Sequence, residues 1–315
     1  MRLALYTDSV SDATREEALD LAVEIGAEAV ELAAGGQSAA PHLRPAELLD
    51  SSHARAQLTA ELAERGLRLG ALNCSAWPMH PRVGDDHLEI IRRTFRLAGE
   101  LGVEKVVTMS GCPGDAPDAP TFNWVTYPWP PDAVELLAAQ WEHALDVWSG
   151  LVDEAVANGV RQIALELHPL HLVYNVPTLL RLREAVGPVV GANVDPSHMF
   201  WQQIDPVRVV HALGEAVHYV HLKDVELHHD QLALTGVLDS TPFADHEQRA
   251  WSFCTVGRGN DETFWRRFFT ALRDAGYDDV LSIENEDPVQ PAAEGVREAA
   301  AFVAPLLADE REAVR

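Results

Sequence analysis

Short apolar runs alternate with longer amphipathic stretches along the whole chain, and a glycine marks most of the changes from stretch to run. The runs read RLALYT, AEAVEL, LRLGALN, EKVVTM, RQIALEL, VVGANVD, VHYVHL and DDVLSIE. Near-continuous Val/Ile/Leu runs without polar alternation indicate strands of a parallel sheet buried on both faces. Gly26, Gly66, Gly102, Gly159, Gly187, Gly214 and Gly276 each follow a helix-like stretch, seven or eight residues before the end of the next run. Glycine suits the position just past a helix, because it enters the left-handed conformation without a Cβ clash. The pattern predicts strands at 2–6, 28–33, 67–73, 104–110, 161–167, 189–195, 217–222 and 279–284. Helices are predicted near 12–25, 45–65, 84–101, 133–158, 175–186, 205–213, 261–275 and 291–307. Eight βα units in 315 residues imply a single (β/α)8 TIM barrel domain over 1–315. No GxGxxG follows the first strand, so a dinucleotide-binding sheet lacks its phosphate turn.

Two loops are long: 111–132 after the fourth strand, with Phe122, Trp124, Tyr127 and Trp129, and 224–260 after the seventh. Long loops on the catalytic face of a barrel read as lids or substrate walls. The alternative is a surface insertion or a homo-oligomer contact.

The formal charge of −25 and the absence of a Lys/Arg cluster argue against a nucleic-acid partner. Lysine occurs only at Lys105 and Lys223. The three cysteines, Cys74, Cys112 and Cys254, are widely spaced and form no CxxC pair, so neither a zinc knuckle nor a disulfide framework is supported. No run approaches the ~20 apolar residues of a membrane span, and MRLALYTDSVSD reads as a first strand. A soluble cytoplasmic protein acting on a small molecule is the expectation.

The chemistry lies where the apolar runs end. Glu166, Asp195, His221 and Glu284 close the fifth to eighth strands. In a TIM barrel those ends build the active site, and neighbouring strands lie ~4.8 Å apart, so consecutive ends can share one ion. Each carboxylate alone could cap a helix or pair with arginine. Together, three hard oxygen ligands and one nitrogen suit Mn²⁺, Mg²⁺ or Co²⁺. Asn73 and Ser110 also end strands, His168 stands two residues past Glu166, and Trp124 and Trp201 could line a sugar site or serve as loop anchors. His228, His229 and His246 read as exposed loop residues.

The segments ALELHP, NVDPSH, VHLKD and SIEN resemble the xylose-isomerase-like TIM barrels, in particular the sugar phosphate isomerase/epimerase group of ketose 3-epimerases, hydroxypyruvate isomerases and inosose dehydratases. The resemblance implies one divalent ion held by Glu166, Asp195, His221 and Glu284. It implies substrate contacts for His198 of DxxH, Lys223 of HxKD and Arg258 of VGRG. The loops at 111–132 and 224–260 depart from compact epimerases. The related AP endonuclease branch uses several more metal-binding histidines, which HHD at 228–230 does not convincingly replace.

These residues fit proton transfer beside the carbonyl of a keto sugar or related polyol, with Glu166 and Glu284 as acid and base, His198 assisting, and Lys223 facing the developing oxyanion. A metal-dependent lyase or dehydratase begins with the same proton removal and then expels a β-substituent from a keto sugar, 3-oxo-glycoside or inosose. A non-catalytic sugar-binding barrel or partner subunit is the reading from a different class.

Overall fold

The computed structural model describes residues 1–116 and 118–313. Among the described residues, ten strands run in chain order: β1 Arg2–Tyr6, β2 Ala29–Gly36, β3 Arg68–Ser75, β4 Lys105–Thr108, β5 Gln162–Glu166, β6 Val190–Val194, β7 Val217–Leu222, β8 Asp224–Leu227, β9 Trp251–Cys254 and β10 Val280–Ile283. Eight of them close into a barrel in the order β1-β10-β7-β6-β5-β4-β3-β2, and β8 and β9 form a separate two-stranded sheet. The barrel ladders are parallel, with register pairs such as Leu5↔Ile283, Val107↔Ala164 and His221↔Ser282. The TIM barrel read from the apolar rhythm is therefore the observed architecture, with strand ends shifted by up to three residues.

The helices are α1 Arg15–Glu24, α2 Pro45–Asp50, α3 Ser52–Glu64, α4 Gly84–Leu101, α5 Pro131–Ala157, α6 Val176–Val186, α7 Ser197–Phe200, α8 Pro206–Leu213, α9 His229–Thr235, α10 Glu262–Asp274 and α11 Ala292–Ala313. Side-chain caps set several starts. Thr14 and Glu17 form a reciprocal capping box, Asp205 accepts from the Val207 N–H (2.9 Å), and Asp261 accepts from the Phe264 N–H (3.0 Å). The seven glycines that time the repeat all carry positive φ, from 52° at Gly214 to 100° at Gly187. Gly102, at φ 68° and ψ 27°, ends α4 in the left-handed region that a side chain would strain.

Two expectations are corrected. The single helix over 45–65 is two helices, broken where Ser51 is extended (φ −130°, ψ 107°); Arg55 Nη1 donates to the carbonyls of Leu48 and Leu49 left at the end of α2. The stretch 224–260 is not a plain loop. β8 pairs antiparallel with β9, and a cluster of Trp201, Val225, Ala250 and Trp251 backs the hairpin.

Backbone proximity groups the chain into two compact units: residues 1–31, 62–68 and 194–315, and residues 32–61 and 69–193. The core of the first centres on Tyr219, Trp265, Phe268 and Phe269; that of the second includes Phe95 and Trp148. In the second unit, Gln140 Nε2 donates to the carbonyls of Pro113 (3.1 Å) and Asn123 (2.7 Å), tying the loop after β4 to α5.

Candidate metal centre

Each strand end delivers its side chain by a local device. β6 stops at Val194, and Asp195 accepts the Ser197 N–H at 2.9 Å, which starts α7 and turns His198 back. His198 Nε2 then lies 3.2 Å from Asp195 Oδ2. β7 carries His221 as its penultimate residue, with Lys223 just beyond its end. β10 ends at Ile283, yet the Glu284 N–H still donates to the Leu222 carbonyl (3.1 Å). That bond fixes Glu284 Oε2 at 2.9 Å from His221 Nδ1 and 3.5 Å from Lys223 Nζ. Glu166 is the last residue of β5 and is buried. One ligand atom from each of Glu166, Asp195, His221 and Glu284 lies within 4.8 Å of the others. Glu166, His168 and His198 also bring ligand atoms within that distance.

The electrostatics follow from burial and charge. Burial opposes the imidazolium form of His221, but the carboxylates of Glu31 and Glu284 outweigh it and lift the ring well above its ordinary value. Burial raises the Glu284 carboxyl; Lys223 and His221 act more strongly and hold it well below the usual carboxylate range. Burial, reinforced by the Lys223 cation, pushes His198 well below its ordinary value, so it stays neutral at neutral pH.

These residues fit a divalent cation. His221 Nδ1 and Glu284 Oε2 are buried and in contact, yet not aligned as a hydrogen bond. With one oxygen each from Glu166 and Asp195 they lie within 4.8 Å of one another, close enough to share one ion. Three carboxylates and one imidazole are a donor set for a hard or borderline divalent metal.

Glu31 was not singled out in the sequence. It sits in β2, fully buried, and accepts the Nε2–H of His221 at 3.0 Å and the Ser282 hydroxyl at 2.7 Å. A glutamate inside the apolar run AVELAA was the only available signal.

The other residues read from the sequence have mixed placements. Lys223 is buried, with Nζ 2.6 Å from Glu286 Oε2 and 4.3 Å from the centre of the Phe253 ring. The Phe253 edge also meets His198 (5.8 Å), so the hairpin supplies an apolar wall beside both polar groups. Arg258 is brought to carboxylates instead: Nε and Nη2 each lie 2.8 Å from Glu298, in a half-exposed pair. Asn73 is buried and accepts from Ser75 Oγ (3.0 Å). Ser110 accepts the Val173 N–H (2.9 Å), and its carbonyl accepts Trp148 Nε1, so it braces the loop after β4. His168 bonds the Pro169 carbonyl, Trp124 packs edge-on against Tyr174, and Trp201 stacks on Trp251 (4.9 Å, 4°). Asp224 of HxKD gathers the 257–260 backbone through its carboxylate.

A closed parallel barrel with this ligand set at its strand ends invites comparison with known proteins, and the xylose isomerase-like TIM barrel family matches residues 19–306. The chain belongs to that family. A Bacillus subtilis (strain 168) protein, YfiH, described as uncharacterized, is 42% identical over 301 residues, covering 94% of this chain and 96% of its own. An L-ribulose 3-epimerase superposes with TM-score 0.67 at 18% identity over 99% of this chain and 96% of its own. The IOLI protein, solved with a bound zinc atom, superposes with TM-score 0.68 at 20% identity over 98% and 99%. At such identities these two solved structures speak for the shared barrel alone.

Proposed function

We propose that this protein is a divalent-metal-dependent isomerase or epimerase that moves a proton at the carbon beside the carbonyl of a keto sugar or related polyol. The observation that carries the reading is the approach of Glu166, Asp195, His221 and Glu284 to within 4.8 Å of one another. Membership of the xylose isomerase-like family supports it, as do the epimerase and the zinc-bound IOLI protein among its structural neighbours.

Glu166, Asp195, His221 and Glu284 would hold the ion, which when bound supplies Lewis-acid polarisation of a substrate carbonyl. Glu284, kept ionised by Lys223 and His221, is ready to accept the proton. Glu166, first protonated from solvent, would deliver a different proton to the same carbon, and Glu284 would give up its own to solvent. His198, neutral at neutral pH, offers hydrogen bonds to substrate oxygens without adding charge. Lys223 brings a cation to the side where the carbonyl oxygen gains negative charge. Phe253 presents an apolar surface to the same place and helps exclude water. Lys223 already faces Glu284 and Glu286, and Arg258 faces Glu298, so an uncharged sugar is favoured over a phosphorylated one.

The test is incubation with Mn²⁺, Co²⁺ or Mg²⁺ and a panel of free ketoses, phosphosugars, inososes and 3-oxo-glycosides in D₂O. Solvent deuterium in a retained carbon skeleton is the expected result. Loss of water or alcohol would assign a lyase instead. No turnover of any member by metal-loaded protein would overturn the catalytic reading in favour of a binding protein.

A further inference from the structure

We propose that Glu31 is a positioning residue for the metal centre, holding His221 through Nε2 so that Nδ1 is the ligating atom. This inference rests on the metal reading above and concerns the affinity of the site, not the reaction.

A glutamate at position 31 needs an explanation. It lies inside β2, fully buried between Val30 and Leu32, which are also fully buried. An ionised carboxylate in such a place is costly unless hydrogen-bonded and paired, and an apolar side chain would pack there at no such cost. Its partners come from far along the chain. Both carboxylate oxygens face His221 Nε2, at 3.1 and 3.0 Å, and Oε2 also accepts from Ser282 Oγ at 2.7 Å. His221 and Ser282 are register partners on β7 and β10, so the carboxylate is held by two adjacent strands at once.

The consequence falls on the imidazole. Tyr6 stacks on its face (centroids 5.7 Å, interplanar 16°), and Tyr219 meets it at 5.8 Å and 78°. With the ring plane set by these neighbours, a half-turn about Cβ–Cγ is the main alternative. That turn would exchange Nδ1 for a carbon and Nε2 for a carbon. Only the observed orientation lets Nε2 donate to Glu31, and it leaves Nδ1 2.9 Å from Glu284 Oε2, on the side of the other ligands. A hydrogen bond on the distal nitrogen also fixes the tautomer and raises the basicity of the ligating one.

The test measures Co²⁺ affinity of the full-length protein by competition with a chromogenic chelator, for wild type, Glu31→Leu, Glu31→Gln and Ser282→Ala. Glu31→Leu should bind Co²⁺ tenfold to a hundredfold more weakly, roughly the range for loss of a ligand's supporting partner. Glu31→Gln should lose less, because its amide oxygen still accepts from Nε2. Metal-free Glu31→Leu should melt lower than wild type, because the buried Nε2–H of His221 and the Ser282 hydroxyl lose their acceptor, so Co²⁺ affinities are compared at a temperature where the variant stays folded. If Glu31→Leu does not fold, Ser282→Ala carries the comparison. It removes one hydrogen bond from the carboxylate and should weaken Co²⁺ binding about threefold to tenfold. Wild-type affinity in every variant that folds would overturn the proposal, as would ¹⁵N shifts of the Zn²⁺-loaded protein showing His221 ligating through Nε2. Wild type that binds Co²⁺ without turning over any sugar refutes the proposed reaction and leaves this proposal standing. Wild type that binds no Co²⁺ refutes the metal centre and Glu31's role with it.

Discussion

Asp224 offers a sharp test of how the hairpin is anchored beside the centre. It is fully buried and accepts five hydrogen bonds. Oδ2 takes the N–H groups of Gly257 (3.0 Å), Gly259 (3.3 Å) and Asn260 (3.1 Å); Oδ1 takes the Val225 N–H (2.8 Å) and Asn260 Nδ2 (2.7 Å). The turn wraps the carboxylate so closely that a Cβ at Gly259 would stand 2.1 Å from the Val225 carbonyl oxygen. Asp224→Ala strands several donors at about 1–3 kcal/mol each. Gly259 is exposed, so water can replace part of this, and removing a buried charge returns some of the rest. The net expectation is a loss of roughly 2–4 kcal/mol. Asp224→Asn discriminates further. With its NH₂ at the Oδ2 side the amide meets three backbone N–H groups; at the Oδ1 side it meets the Val225 N–H, while Asn260 can turn its own amide oxygen toward it, so the isosteric change should cost at least about 1 kcal/mol. Urea unfolding followed by fluorescence measures both. Asp224→Asn within about 0.5 kcal/mol of wild type would refute the claim that this position requires an acceptor-only side chain.

Arg258→Ala removes a half-exposed ion pair with Glu298, so the loss of stability should stay below about 1 kcal/mol; metal affinity should be unchanged, and KM for any sugar found to react should stay within about twofold. Trp251→Ala unstacks Trp201 and opens the hairpin cluster, at roughly 3–5 kcal/mol, and limited proteolysis should then cut first within 224–254. Burial raises the Asp287 carboxyl, but hydrogen bonds from Val289, Thr255 and Gln290 outweigh it and leave it below its ordinary value. With the folded value below the unfolded one, its stabilisation is present above about pH 4 and disappears as pH falls through the folded value. The gap in urea midpoint between wild type and Asp287→Asn should therefore be widest at neutral pH and close in acid.

The barrel was legible in the sequence because its signals are local. A glycine at positive φ and an apolar run a few residues later need no knowledge of distant partners, and seven of the eight units carry both. The four strand-end residues were legible for the same reason: position within a run decides which side chain reaches the mouth. What the sequence hid depends on pairing at a distance. Glu31 matters because it meets a histidine 190 residues away. The resemblance of VGRG pointed Arg258 toward substrate, and the carboxylate it meets in the structure, Glu298, lies 40 residues further on. The hairpin escaped notice because its two four-residue strands are separated by a short helix and a 3₁₀ segment, with no tight turn to announce them. Asp224 shows a third case: the motif was visible, but the residue beside Lys223 spends its carboxylate on the loop backbone at 257–260.

Charge ties these placements together. Three buried carboxylates, Glu31, Glu166 and Asp195, and the largely buried Glu284 surround two cations, Lys223 and protonated His221. Lys223 is one of only two lysines in the chain, and Glu286 also draws on it. An interior that strips water from charges leaves a deficit of two positive charges expensive. Helix dipoles and backbone N–H groups cover part of it, as the Ser197 N–H does for Asp195. A divalent ion held by these residues would displace the Nδ1 proton of His221, so it would add one net positive charge among the ligand atoms and halve the deficit. Truncating one ligand while leaving the others, as in Asp195→Ala, should therefore weaken Co²⁺ binding by at least tenfold while leaving the metal-free protein as stable as wild type or more so, because the excess of buried negative charge falls by one. A metal-free Asp195→Ala that is strongly destabilised would show that Asp195 serves the fold through α7, and that this charge deficit is not what the site is built around.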